Sequence, residues 1–183
     1  MPVSRKHSLP VTEMRRFIEP GPVILISSSF KGADNIMTCG WHMVMDYQTV
    51  GCFIWDRNHS FDMIRKSREC AINIPAADMA KTVVGIGNTT GAKIDKFAEF
   101  GLTRVEAEEV EAPLIGECHA SLECRLTDTA PIRKYGLFVF EVVRLHAPKR
   151  PRLPRMIHYS GEGIFAVSDR SLNLRRHFRP GML

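Results

Sequence analysis

The sequence lacks any apolar run near the roughly 20 residues a membrane-spanning helix needs. Its longest apolar stretches, residues 23–26 and 137–140, break off quickly. The opening decapeptide MPVSRKHSLP has a basic flank but no apolar segment, which argues against a secretory leader. Cysteine is sparse and odd in number, five in 183 residues at irregular spacing, so no disulfide framework is expected. Reduced, mostly buried thiols in a cytoplasmic protein are expected instead. Internal repeats and low-complexity tracts are missing as well. No Gly-x-Gly-x-x-Gly follows a strand pattern, and there is no Walker sequence or Gly-x-Ser-x-Gly elbow. Rossmann, P-loop and nucleophilic-triad chemistry therefore have no support.

What is present fits one folded unit. At 183 residues, with 44% hydrophobic residues and 10 Phe, the chain can bury a single core, and disorder is excluded. Its net charge of +5 is unevenly placed. Residues 1–132 hold 14 basic and 17 acidic side chains, a balance of −3, whereas residues 133–183 hold 11 and 3, a balance of +8. A basic stripe is the electrostatic footprint of nucleic-acid binding. Yet KRPRLPR at 149–155 has two prolines and no aromatic residue to stack on bases, and LRRHFRPGML at the end is similar in character. A solvated segment, or one that packs on a partner subunit, is expected, with no nucleic-acid partner.

Hydrophobic patterning predicts mostly strands. Residues 1–20, punctuated by Pro2, Pro10 and Pro20, read as an arm leading into the fold. Residues 23–29 are β-branched and apolar, residues 49–55 alternate, and residues 70–74 alternate until Pro75. A helix capped by Asn58 or Ser60 carries Phe61, Met63 and Ile64 on its apolar face. A second follows Asp78 over 79–86, and a third spans about 94–100, ended by Gly101. Residues 117–127 put Cys118, Ala120, Leu122, Cys124 and Leu126 on one strand face, and 137–145 predicts a central strand. Close strand spacing with few helices predicts an antiparallel meander or a nearly closed barrel.

Few residues combine into recognisable chemistry. Cys39-x-x-His42 and Cys118-His119-x4-Cys124 lack the second ligand pair a structural zinc normally needs, and no metal site is expected. Arg57-Asn58-His59-Ser60, at a predicted helix start, offers free N–H groups, a hydroxyl and a cation to an anion. Asn88, Thr89, Thr90, Gly91 and Lys93 form a polar, glycine-containing loop, with Lys96 just beyond. Between the strands, Asn35, Met37, Thr38, Cys39, Gly40 and Trp41 mix hydrogen-bonding groups with a flat apolar plate, which suits a planar heterocycle. From pattern alone, a helix cap, a polar turn and a buried Trp on a hairpin are the preferred explanation of the same residues.

The order of these segments narrows the choice. The chain resembles the flavin reductase-like, FMN-binding family that includes the flavoredoxins. The resemblance rests on Pro20-Gly21-Pro22-Val23, Asn35-x-Met37-Thr38-x-Gly40-Trp41, Asn58-His59-Ser60-Phe61 and Ala71-Ile72-Asn73-Ile74-Pro75. It continues through Asp95-Lys96-Phe97, Ala112-Pro113-Leu114-Ile115, Ala120-x-Leu122-Glu123-Cys124 and Leu137-Phe138-Val139-x-Glu141-Val142. It implies a mainly β fold, a split β-barrel with Greek-key or meander strands and a few short helices, in one domain. That domain has its core at about 20–145 and a basic extension at 146–183, and the resemblance implies a homodimer. It further implies non-covalent FMN, with Asn35, Met37, Thr38 and Trp41 around the ring and Ser60, Arg57, Asn58 and His59 at the phosphate and ribityl. Lys96 becomes a cation near the flavin, and Asn88, Thr90 and Gly91 become phosphate contacts. NAD(P)H is implied as electron donor, with a redox protein or flavin-dependent acceptor as partner. The chain departs from the family at Asn58, where many members carry Arg, and at Tyr135, where many carry His before the late strand. The Tyr135 departure keeps open a flavoredoxin-type electron carrier without efficient NAD(P)H turnover, and a flavin carrier with no turnover is a third reading. Tyr159 and Phe165 are candidates to cover the ring.

Overall fold

β-Branched and aromatic side chains favour pleated backbone, and in the computed structural model they build one antiparallel sheet of eight strands. The structure describes residues 5–18, 21–149, 153–179 and 181; Pro2, Pro20 and residues 150–152 of the expected basic stretch lie outside the described residues. The early strands are β1 (His7–Leu9), β2 (Ile24–Phe30), β3 (Ala33–Cys39), β4 (His42–Val44), β5 (Thr49–Phe53) and β6 (Glu69–Ile74). A small pair follows, β7 (Arg104–Val105) with β8 (Leu114–Ile115), then the long strands β9 (Ala120–Asp128) and β10 (Leu137–Ala147). The hairpin β11 (Ile157–Gly161) and β12 (Ile164–Val167) ends the sequence of strands. Short helices lie between them: α1 (Arg15–Ile18), α2 (His59–Ser67), α3 (Ala80–Gly87), α4 (Lys96–Glu99) and α5 (Ile132–Tyr135).

The strand order β3-β2-β6-β9-β10-β5-β4 explains the curl. β3 and β4 sit at its two ends, yet only Gly40 and Trp41 separate them in sequence. The sheet therefore has to bend round until its ends approach, the split-barrel arrangement that was expected. β10 is the central strand the sequence predicted, and it pairs with three others. Residues 137–141 meet β5, residues 139–146 meet β9, and residues 145–147 meet β1. Register shifts at Val139/Phe140 and Val142/Arg144 let this one strand serve several directions.

Side-chain alternation sorts most of the core into two parts, with a smaller third cluster of Ala71, Ala112 and Leu114. Ile24 and Ile26 of β2 join Ile72, Leu122, Phe138 and Phe140 inside the barrel. Leu25 points the other way and joins Ile36, Val83, Ile86 and Phe97 beneath the α3–α4 layer. All five cysteines are free and buried. Burial drives the Cys118 thiol up to about 12, so it is protonated and inert at neutral pH.

Several expectations change in detail. The first twenty residues hold a strand, β1, as well as a 3-10 turn at Val11–Met14 that leads into α1. Its sequence signal is three residues long, too short for a period to show. The strand expected over 117–127 begins at Ala120, and both of its faces are buried as far as Cys124. Its second face holds Ser121, buried against Lys6 and Asn73, and Glu123, buried where residues 108–110 cross over it. The Glu123 carboxylate accepts N–H groups from Glu108, Glu109 and Val110 and lies 2.6 Å from His146 Nε2. The third helix is trimmed to α4, with Asp95 accepting the Phe97 and Ala98 amides and Gly101 left-handed at φ 60°. The stretch after Leu145 is structured at first: Met156 and Ile157 are buried, and Ile157 O accepts the Val23 amide.

Candidate functional site

α2 begins with its amides unclaimed by any side chain. Asn58 occupies the N-cap in extended conformation (φ −72°, ψ 134°) but makes no side-chain cap hydrogen bond. The Phe61 amide turns back to Asn58 O at 2.9 Å, and the His59 and Ser60 amides with the positive end of the helix dipole are left for an anion. Ser60, one residue into the helix, is fully buried, and its Oγ accepts a 2.8 Å hydrogen bond from Asn35 Nδ2 on β3. Asn35 is 2% exposed, and its Oδ1 has no hydrogen-bond partner among the described residues. A buried acceptor without a donor is costly, so this atom suits a ligand that brings an N–H or O–H.

The opposite wall is the end of α3. Helix C-termini leave carbonyls without intrahelical partners, and here side chains from three segments supply the donors. Thr38 Oγ1 on β3 donates to Val83 O at 2.7 Å, and Thr89 Oγ1 donates to Gly85 O at 3.0 Å and Ile86 O at 3.2 Å. Lys96 Nζ donates to Ile86 O and to Ile36 O, both at 2.8 Å. Burial pulls the Lys96 ammonium down to about 8, and it remains mostly charged at neutral pH. Beyond α3 the chain passes through Gly91, packed so closely that a Cβ there would lie 2.0 Å from Asn35 Oδ1. Only glycine fits that approach. α4 is held in place from outside, where Arg104 binds both Asp95 oxygens at 2.7 Å and lies 4.4 Å over the Phe97 ring.

Between these walls lies a cleft of about 160 Å³ that straddles the edge strand β3. Ten residues singled out from the sequence line it together: Asn35, Met37, Thr38, Arg57, Asn58, His59, Ser60, Thr90, Gly91 and Lys96. Four do not. The Cys39 thiol turns into the barrel core, towards Trp41 O (3.5 Å) and Phe53 O (3.8 Å). Gly40 and Trp41 lie past the cleft at the turn between β3 and β4, with Trp41 71% exposed against the Phe53 ring. Asn88 is exposed, and its amide closes α3 on Val84 O. Ile86, Gly87 and Thr89 complete the lining. Thr89 is the second polar residue of the 88–93 loop that the sequence points to, whereas Ile86 and Gly87 read simply as a helix end. Tyr159 and Phe165, candidates to cover a ring, pack on each other in the β11–β12 hairpin, centroids 5.1 Å apart and tilted by 53°, and do not line the cleft. A larger, open depression of about 650 Å³ beside β4 is lined by Met43, Val44, Met45 and Tyr47, without a comparable set of donors.

A split barrel whose edge strand and two flanking helix ends frame a polar cleft defines a class of β domain. Within that class, a family model described as Flavin reductase like domain matches residues 14–165, and the chain belongs to this family. The chain is 30% identical over 137 residues to an uncharacterized protein of Archaeoglobus fulgidus, across 74% of this chain and 77% of that one. Among solved structures, an FMN-binding domain of a flavin reductases-like enzyme from Shewanella baltica superposes with a TM-score of 0.86. It is 21% identical and covers 94% of this chain and 99% of its own. Flavoredoxin of Desulfovibrio vulgaris (Miyazaki F) superposes with a TM-score of 0.76 at 19% identity, across 94% and 92%. At these identities the structural likeness speaks for the fold. No helix among the described residues is long and apolar enough to cross a membrane.

Proposed function

We propose that the protein binds FMN non-covalently in this cleft and is an oxidoreductase that passes electrons from NAD(P)H to an acceptor. The observation that carries the reading is the uncapped start of α2 beside the buried Asn35–Ser60 pair. The α2 amides, the Ser60 hydroxyl and Arg57 suit a phosphate, and Asn35 Oδ1 suits a hydroxyl of the ribityl chain. Bound flavin would supply the hydride-accepting and electron-donating chemistry, while the protein supplies orientation and electrostatics. The cleft is well below the ~300–1,000 Å³ of sites that enclose a drug-sized ligand. It accommodates the polar end of the cofactor, and the ring needs cover from elsewhere.

A second copy of the chain is the proposed cover. Trp41, Met43, Met45 and Tyr47 are each about half exposed or more, along one stretch at the end of the sheet. Such a run of large apolar side chains marks an interaction surface. A cytoplasmic location belongs to the same proposal, since five free thiols suit a reducing compartment.

A second reading rests on Tyr135. It ends α5, is 58% exposed with Lys134 Nζ 4.9 Å from its ring centroid, and does not line the cleft. A solvent-facing phenol is a poor proton shuttle at neutral pH, which favours flavoredoxin-type electron transfer without efficient NAD(P)H turnover. One experiment separates these readings. The purified protein, mixed with FMN and freed of excess, is expected to be yellow and to bleach on anaerobic titration with NADH or NADPH. A colourless protein overturns flavin binding. A yellow protein bleached only by a reduced redox protein establishes the second reading, and one bleached by neither donor is a carrier.

A further inference from the structure

The resemblance implies that Lys96 is a cation near the flavin, but its ammonium is directed at the protein. Nζ sits 2.8 Å from Ile36 O and 2.8 Å from Ile86 O, and only 4% of the residue is exposed. Two of its three N–H groups are thus committed to main-chain carbonyls. One carbonyl belongs to edge strand β3, the other to the last turn of α3, where a cation also meets the negative end of the helix dipole. Thr38 ties β3 to α3, and Thr89 caps its own helix. Lys96 is the side chain that joins three elements at once: α4, β3 and α3.

The position of that turn decides the shape of the cleft. From Ile86 the chain needs only five residues to reach Gly91, which rests against Asn35. A shift of the α3 end therefore moves Thr90 and Gly91 relative to Asn35 and Ser60. We propose that Lys96 is a positioning residue: it holds the end of α3 against β3, fixes residues 87–91 over the Asn35–Ser60 pair, and acts on flavin through that wall. Contact with the cofactor phosphate is not its role. The inference rests on the flavin reading for its ligand, and on the hydrogen bonds alone for its mechanics.

Two measurements on the full chain test it. Wild type, Lys96→Met and Lys96→Arg are titrated with FMN and with riboflavin, which lacks the phosphate, by quenching of flavin fluorescence. Removing the Lys96 donor from Ile36 O, and leaving Ile86 O only its longer bond from Thr89, is expected to weaken both flavins by a similar factor, about tenfold or more in Lys96→Met. Lys96→Arg should recover part of the loss for both. A loss confined to FMN would reveal a direct charge contact and overturn the proposal, as would unchanged affinity for both. Hydrogen exchange of the flavin-free chain gives the second readout. Amides of residues 88–93 should exchange faster in Lys96→Met, while β2 and β6 keep their protection. Unchanged exchange at 88–93 would also overturn it. If Lys96→Met does not fold, Lys96→Gln, whose shorter side chain falls short of the two carbonyls that Nζ bridges, carries the same comparison. If wild type binds neither flavin, the proposed function fails, and the exchange result still decides the role of Lys96.

Discussion

At the scale of single residues, the cleft is built from atoms that already have work to do. Thr38 and Lys96 face main-chain carbonyls, and Asn35 leans on Ser60. Gly91 is the tightest of these fits, and its restriction is steric. In Gly91→Ala the new methyl would meet Asn35 Oδ1 and force the amide away from Ser60. Overpacking of this kind costs about 1–3 kcal/mol. FMN affinity measured by fluorescence is expected to fall about tenfold, with only a modest change in melting temperature. Lys6 makes a different point. Its Nζ reaches Ile115 O at 2.7 Å and Ser121 Oγ at 3.0 Å, and burial lowers it from 10.5 to about 8. A lysine with a folded pKa below its unfolded one opposes folding while charged. The penalty is full below pH 8 and fades as the pH rises to 10.5. Wild type should therefore gain stability relative to Lys6→Met across that window, as read by denaturant melts at a series of pH values.

At the scale of elements, helix ends matter more than helix bodies. α2 leaves its N-terminus open, whereas α3 has its C-terminal carbonyls occupied by Thr38, Thr89 and Lys96. A stable protein with no other demand on α2 would carry a capping side chain, since a good N-cap adds about 1 kcal/mol. The open start is thus a cost in stability that a ligand can offset. Asn58→Asp should expose the trade. A carboxylate at the N-cap is expected to raise the melting temperature of the flavin-free protein. It should also weaken FMN several-fold more than riboflavin, because it competes with a phosphate for the same amides. Equal effects on the two flavins would place the phosphate elsewhere.

At the scale of the molecule, the curl of the sheet brings the cleft and the exposed apolar stretch from one run of sequence. β3 supplies Asn35, Met37 and Thr38, and two residues later the chain turns into β4 with Trp41 and Met43 outward. If a second copy covers this stretch, Trp41→Arg combined with Met43→Glu should give a monomer by light scattering coupled to gel filtration. The same variant should hold FMN more weakly than wild type, although neither residue lines the cleft of its own chain. A variant that stays dimeric would move the interface to another face.

Much of this was written in local pattern. The β-branched and apolar runs of β2 and β10, the alternation in β5 and β6, the glycine stop after α4 and the polar start of α2 are short-range signals that mark the longer strands and helices. The order of the segments, through the family resemblance, points to ten of the cleft residues. Other features have no local signature. Ser121 and Glu123 look like the solvent face of β9, and only segments distant in sequence bury them, Lys6 and Asn73 at Ser121 and residues 108–110 at Glu123. Ile86 and Gly87 read as a helix end until α3 is laid beside β3. The duty of Lys96 depends on carbonyls 60 and 10 residues away. The residues alone mark the longer strands and the polar side chains that gather near a helix start, while strands as short as β1 leave no period to read. The tertiary structure alone decided which of those polar atoms are left free for a ligand. Hydrogen-bond partners distant in sequence claim the rest, and no periodicity along the chain records them.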